Sequence, residues 1–313
     1  MNENSSGNTQ QPVQQKRPGI ADITRALRPS QWTKNIIVLA AFFFALWDRS
    51  RAQPFEFIDF IKVLYAAFLF CIISGGIYLL NDIKDIDLDR THPVKKFRPL
   101  AAGIIPLPQA WTLVFLCLAG GLTASLLLPY QFTAVLAAYV IMQIIYSHGL
   151  KQVALVDIFV IAIGFVLRAI AGAVALQGVT ISPWLLLCTF LLALFLALCK
   201  RRHEKNFLSD THRPSLEKYD KHLLDQLIAI TSAAAIVVYA IYTLWPKTVE
   251  KFGTHSLGFT IPFVVFGIFR YLDLVYRHEK GDRPEMILLT DIPILANLSL
   301  YALSILAIFL LDL

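Results

Sequence analysis

Charge and cysteine are both scarce in this chain, and each shortage removes a class of protein. Charged residues fill 16% of the 313 positions and hydrophobic residues 57%, which is not the mix of a soluble domain. The mean hydropathy is positive. A chain of this composition is expected to be an integral membrane protein. The four cysteines, Cys71, Cys117, Cys188 and Cys199, form no CxxC pair and all fall in apolar segments. That leaves small packing residues, not a disulfide framework or a zinc site. Residues 1–30 lack the apolar core of a cleaved signal peptide and are rich in Gln, Asn and Ser, so they are expected to form a flexible polar N-terminal tail.

What the chain does have is long apolar runs. A helix needs about twenty apolar residues to cross a bilayer, and nine segments qualify or nearly so, at 33–48, 58–80, 109–128, 131–147, 153–176, 183–200, 222–245, 257–276 and 290–311. The first is short and interrupted by Lys34. The expectation is an all-α membrane domain of about nine helices over residues 31–313. Alternating the loops between two faces puts Arg49, Arg51, Lys62, Lys247 and Lys251 on one side and nearly every other Lys and Arg on the other. The basic face should be cytoplasmic, and it carries the 81–108, 148–152, 200–221 and 277–289 loops. Connections on the opposite face, such as Leu128-Pro129-Tyr130, are too short to build a site, so chemistry is expected at the cytoplasmic face. The net charge of +6 lies mostly in loops between spans. Anionic lipid headgroups and phosphorylated substrates are therefore the expected partners, and nucleic acid is not.

Where the second apolar run ends, Asn81 to Arg90 read NDIKDIDLDR. If the helix continues, a rotation of roughly 100° per residue sets Asp82, Asp85 and Asp89 on one stripe with Asn81 at its edge, while Asp87 points away. Carboxylates so close together near a low-dielectric layer need a cation, and hard oxygen ligands of this kind suit Mg2+, which bridges to substrate phosphates. The competing reading is a solvated acidic helix end. Against it stands the following segment, HPVKKFRPLAAG, whose Lys95, Lys96 and Arg98 can hold phosphate oxygens; as an ordinary positive-inside loop they would do nothing of the kind.

Further candidates lie on the fifth span and around it. Asp157, Gly164 and Arg168 share one helix face, yet eleven residues of helix cover about 16 Å, so the acid and the arginine cannot meet one ion. An intramembrane arginine is a functional candidate by default, for phosphate or for a structural ion pair. Asp157 is a candidate for holding a ribose or a nearby lysine. Tyr146 and Lys151 flank the same turn, where one could donate a hydrogen bond and the other a charge to a phosphate. In the first segment Trp32 reads as an interfacial anchor, while Lys34 and Asn35 could face the headgroup site. Phe42, Phe43 and Phe44 read as lipid-facing or packing residues.

An NDxxDxxxD at the end of a second span, an RP...G segment after it and about nine spans resemble the UbiA-type superfamily of intramembrane prenyltransferases, over about residues 25–311. The resemblance implies an all-α bundle with a lateral opening for a lipid chain, and Asn81, Asp82, Asp85 and Asp89 holding Mg2+ with a diphosphate donor. One departure is informative. Typical members carry a second aspartate-rich motif at the end of the sixth span, where this chain reads LALCKRRHEKNF, with Lys200, Arg201 and Arg202 in place of carboxylates and Glu204 the nearest acid. Asp210-Thr211-His212-Arg213-Pro214 gives a faint echo of Asp89-Arg90-Thr91-His92-Pro93.

One acidic and one basic cluster suit two phosphorylated substrates, with Lys200, Arg201 and Glu204 added to the binding set. The pattern resembles the decaprenyl-phosphate phosphoribosyltransferase branch. LRPSQWTKN, DLDRTHPVKKFRPLAAG, YSHGLKQVALVDIFVIAIGFVLRAIAG and KRRHE carry that likeness. It implies transfer of 5-phosphoribosyl from 5-phosphoribosyl-1-diphosphate to a polyprenyl phosphate in a bacterial inner membrane, on the way to lipid-linked arabinose for the cell envelope. The adjacent acid pair common in soluble enzymes that use this donor is absent, so the donor rests on the resemblance. The acceptor phosphate is already a nucleophile, so no strong base is required. Asp85 and Asp157 could stabilise an oxocarbenium-like ribose, with Lys151 beside them. Two alternatives stay open: prenyl transfer to an aromatic acceptor, which predicts the missing second acidic motif, and a membrane transporter, which predicts polar groups near mid-membrane. Apolar surface of this extent is compatible with a homo-oligomer.

Overall fold

The computed structural model describes residues 18–49, 54–176, 178–207, 218–277 and 284–311, and among them every regular element is helical. Eight helices are long and apolar enough to cross a membrane. They are α3 (Phe57–Lys84), α5 (Leu107–Ser125), α6 (Tyr130–His148), α7 (Val156–Val174), α8 (Pro183–Phe207), α9 (Lys221–Leu244), α11 (Ile261–Arg277) and α13 (Ile292–Leu310). Shorter helices complete the series: α1 (Ile20–Ala26), α2 (Ile37–Leu46), α4 (Ile86–Thr91), α10 (Pro246–Phe252) and α12 (Pro284–Thr290). The chain is a multi-pass membrane protein.

The segment expected as a first span, 33–48, departs from expectation. It is a 3-10 stretch, Pro29–Ile36, running into the ten-residue α2. Ten residues of α-helix cover about 15 Å, half the hydrocarbon core. The polar side chains of Ser30, Gln31, Thr33, Lys34 and Asn35 explain why the apolar part begins only at Ile36. The expected tail also ends sooner than residue 30. Residues 1–17 lie outside the described residues, but α1 and the turn after it are ordered against α3, with Leu27 packed on Gly75.

Local chemistry sets the helix ends. Asp220 and Asp291 each accept the backbone N–H three residues on, at 3.1 Å, and so cap α9 and α13. Pro108 and Pro293 sit in the first turn, where no N–H is needed. In α5 the ladder slips into a π turn at Leu116–Gly120.

Two helices lie deepest. In α3 and α7, 61% and 56% of the most apolar window is buried, against 33% or less for the other six. Helix α7 joins two cores. Its Ala171, with Ala175 just past its end, packs with Phe70, Phe132 and Leu136 of α3 and α6, and its Ile158 and Ala162 pack with Phe195, Leu198 and Ile228 of α8 and α9. Helix α2 lies against it so closely that a β-carbon on Gly172 would stand 2.0 Å from the Val38 carbonyl oxygen, the small-residue contact that membrane helices favour. Ion pairs then mark the two ends of the bundle. Asp48 meets Lys251 at 3.1 Å at one end, and Asp85 meets Lys151 at the other, as the alternation of loops requires.

Candidate active site at the acidic end of the bundle

Helix α3 stops at Lys84, Asp85 takes φ −97° and ψ 12°, and α4 starts at once. The backbone nevertheless keeps its four-residue bonds across the joint, Asp85 N–H to Asn81 at 2.9 Å and Asp89 N–H to Asp85 at 2.8 Å. The break divides the expected stripe. Asp82 and Asp89 turn inward and share Arg98, at 3.0 and 2.5 Å, while Arg28 also pairs with Asp82. Asp85 turns instead to Lys151, whose Nζ lies 2.7 and 2.9 Å from its two oxygens. Asp87 points outward with a side chain 90% exposed. The single three-carboxylate face is therefore corrected to a buried pair plus a half-exposed third member. Among the described residues no three acidic, His or Cys side chains are grouped as a metal centre would need, because arginine and lysine nitrogens stand between them.

The residues nonetheless fit a divalent cation. All the donors are hard oxygens, and Asn81 Oδ1 is a buried acceptor with no hydrogen-bond partner among the described residues, an atom whose burial is costly unless something meets it.

The basic segment after the motif is shaped to face the same place. His92 Nδ1 accepts the N–H groups of Val94 and Lys95 at 3.1 and 3.2 Å, which fixes the turn carrying Lys95. Gly103, at φ 72°, closes the loop after Arg98 in a conformation that glycine adopts without strain. Lys95 is partly buried, and burial, with Arg98 next in weight, pushes its ammonium below the ordinary lysine range; Asp89, Asp85 and Glu204 pull the other way. Lys96 is exposed beside Phe97.

The end of α8 is built differently. Arg201, 2% exposed, donates from Nε to Asp157 at 2.8 Å and also pairs with Glu204. Asp157, 0% exposed, takes a further bond from Tyr219 at 2.6 Å. Arg202 pairs with Asp225 at 2.5 Å and stacks on Tyr276 at 3.9 Å. Three expectations change here. Asp157 is sealed from any reacting centre, and Arg201 and Glu204 neutralise each other inside the protein instead of facing a ligand. Lys200, 3.9 Å from Glu204 with a side chain 39% exposed, keeps access. Tyr146 lies within the electrostatic reach of Arg201. The expected echo at 210–214 lies outside the described residues.

Arg168 sits deeper, 5% exposed. Neutral groups take its hydrogen bonds: Asn35 at 2.8 Å, the Gly164 carbonyl at 2.9 Å and Tyr139 at 2.7 Å. Asn35 in turn reaches Ser74 at 3.3 Å. Arg168 and Asn35, expected at a phosphate, instead tie the 3-10 stretch to α7, α6 and α3, and the expected ion pair with another span is replaced by this neutral network. Lys34, on the same stretch, is partly buried.

A cavity of about 1100 Å3 lies beside this network, mostly apolar, between α2, α7, α8, α9, α11 and α13. Phe44, Phe165, Phe195 and Tyr301 line it, and its lining ends at Lys247 and Lys251, the end of the bundle away from the carboxylates. Phe44 is thus a cavity residue as well as a packing one.

Sequence reasoning missed Arg28, His92 and Tyr219. Arg28 lies in LRPSQWTKN, so its signal was present, whereas nothing local marks Tyr219.

A profile of the UbiA prenyltransferase family matches residues 36–216. The decaprenyl-phosphate phosphoribosyltransferase of Mycobacterium tuberculosis is 33% identical over 277 residues, 87% of this chain and 89% of that one. The protein of that name from Mycolicibacterium smegmatis is 36% identical over 227 residues, 71% and 70% of the two chains. A UbiA homologue from Archaeoglobus fulgidus, solved with DMAPP and Mg2+, superposes with a TM-score of 0.69 at 18% identity, over 92% of this chain and 99% of that one.

Proposed function

The chain belongs to the UbiA prenyltransferase family, and on that footing we propose that it transfers the 5-phosphoribosyl group of 5-phosphoribosyl-1-diphosphate to decaprenyl phosphate, releasing diphosphate. The observation that carries this reading is the extended similarity to enzymes of that name, 33% identity across 87% of the chain. The site's charges suit it. Neither the aromatic-acceptor reading nor the transporter reading gains from the relatives or from the site.

In this reading Asn81, Asp82, Asp85 and Asp89 hold Mg2+, which offsets part of the diphosphate charge when bound. Arg28 and Arg98 reach Asp82 from two separate stretches, and Lys95 shares the turn that Arg98 caps, so they are placed to receive diphosphate oxygens. An oxygen of the acceptor phosphate attacks the anomeric carbon as the bond from that carbon to the diphosphate oxygen breaks, and the diphosphate leaves with the electron pair. Positive charge develops on the ribose in between, and Asp85, half-exposed beside Lys151, is the carboxylate able to face it. Catalysis is then positioning and charge neutralisation. The lipid chain occupies the apolar cavity. The acidic end faces the cytoplasm of a bacterial inner membrane, because the basic loops gather there.

The test uses purified protein in detergent with Mg2+, decaprenyl phosphate and donor labelled in the ribose. Label should enter an organic-extractable lipid and EDTA should stop it. Prenylation of an aromatic acid from an isoprenyl diphosphate, with no ribosylated lipid, would overturn the assignment.

A further inference from the structure

Leu155 holds a backbone conformation that a leucine adopts only under constraint. It has φ 66° and ψ −46°, close to the strained γ-turn region, and such outliers persist where their surroundings over-determine them. Both of its peptide groups are held. Its N–H donates to the Tyr219 hydroxyl at 2.7 Å, and its carbonyl accepts the Phe159 N–H at 3.1 Å as α7 begins. The Tyr219 hydroxyl in turn donates to Asp157 Oδ1 at 2.6 Å, and Asp157 Oδ2 accepts from Arg201.

The strained residue follows the turn that carries Lys151. Val153 N–H bonds to Leu150 at 3.1 Å and Asp157 N–H to Val153 at 3.1 Å, so one line of backbone bonds runs from the lysine's turn to the helix Tyr219 grips. At the other end of that line Lys151 meets both oxygens of Asp85. Tyr219 lies sixty-odd residues further along the sequence, just before the Asp220 cap of α9, and is 2% exposed. Its phenol is pushed up by burial and by the bond to Asp157, so it stays a donor.

We propose that Tyr219 is a positioning residue for the phosphoribosyl transfer: by bridging the Leu155 N–H and Asp157 it holds the strained turn that presents Lys151 to Asp85. Tyr219 touches no substrate. Its effect passes through Leu155 and the lysine, and it couples the start of α9 to the acidic end of α3. The turnover part of this inference rests on the reaction proposed above; the geometric part does not.

The experiment reads Lys151 directly. Purified wild type and Tyr219→Phe are acylated briefly with an amine-reactive anhydride, and labelling of Lys151 is measured by mass spectrometry relative to exposed Lys96. Tyr219→Phe removes both hydrogen bonds of the bridge, and each corresponds to about tenfold in the equilibrium it supports. The Lys151 to Lys96 ratio should therefore rise severalfold, and the donor KM should rise about tenfold with the acceptor KM unchanged. A merely structural role would lower the yield of active protein and its apparent kcat, leaving both the ratio and the donor KM where they were.

Leu155→Gly supplies the rescue, since glycine populates positive φ about as readily as negative. In the double variant Leu155→Gly/Tyr219→Phe the labelling ratio and donor KM should move back toward wild type. Unchanged labelling in folded Tyr219→Phe, or no recovery in the double variant, overturns the proposal. Should Tyr219→Phe not fold, the double variant carries the measurement, and its failure to fold also overturns the proposal, because relief at residue 155 would not have restored the turn. If labelling responds as expected but no variant, wild type included, transfers phosphoribosyl, the positioning role stands and the reaction assignment falls.

Discussion

The two charged clusters, at the close of α3 and of α8, carry similar residue types and use them in opposite ways. At the end of α3, Asp82, Asp85 and Asp89 are met by Arg28, Arg98 and Lys151, cations from three separate stretches whose side chains remain 23 to 28% exposed. A phosphorylated ligand can compete for such cations from solvent. At the end of α8, Arg201 and Asp157 are shut in, and Glu204 nearly so. Those charges are already spent on each other, and they hold α7, α8 and Tyr219 together. Charge counted along a sequence is not charge available to a ligand; burial of the partner decides.

The comparison breaks most sharply at Arg201. Removing one member of a buried pair leaves the other uncompensated, at a cost of about 3–5 kcal/mol. Arg201→Ala should therefore lose folded protein, visible as a collapse of the monodisperse peak in size-exclusion chromatography. If it purifies normally and only the donor KM changes, the α8 end binds ligand after all. Asp89→Asn tests the other end. It should keep its folded yield while kcat/KM falls by roughly tenfold to a hundredfold, the worth of one charge-assisted contact. Asp87→Asn, outside the cluster, should stay close to wild type. Equal losses at residues 87 and 89 would mean that α4 is not oriented as described.

Much of this contrast was legible in the sequence, for physical reasons that also explain the remainder. Apolar run length gave eight of the nine expected spans, because bilayer thickness imposes it, and overcounted at 33–48, where the helix is only ten residues long. Helical periodicity set Asp87 apart from its neighbours, since a rotation is a local property. The separation of Asp85 from Asp82 and Asp89 was not legible, because it depends on one residue leaving helical geometry and on Lys151, 66 residues away. Arg28 and Tyr219 reach Asp82 and Asp157 across 54 and 62 residues, and periodicity within one helix carries no information about what another segment brings to it. The LALCKRRHEKNF stretch shows its cations in the sequence, yet the sequence could not say that Arg201 would turn inward, since that follows from Asp157 lying buried on the neighbouring helix.

The smallest expected effect sharpens the comparison through pH. Lys95 lies in the turn that follows α4, and burial together with Arg98 lowers its affinity for a proton relative to a free lysine. A lysine is charged below its pKa, so as pH rises through that lowered value the side chain loses its charge and its hold on an anionic donor. The kcat/KM for donor should accordingly fall on the alkaline side before an ordinary lysine would titrate. In Lys95→Arg the guanidinium keeps its charge throughout, so the alkaline limb should move to higher pH or vanish, with the neutral-pH value changing severalfold at most. Lys96→Arg, exposed and off the cluster, should leave the limb in place. A limb that persists unchanged in Lys95→Arg would remove Lys95 from the donor site and leave Arg28 and Arg98 to hold the diphosphate without it.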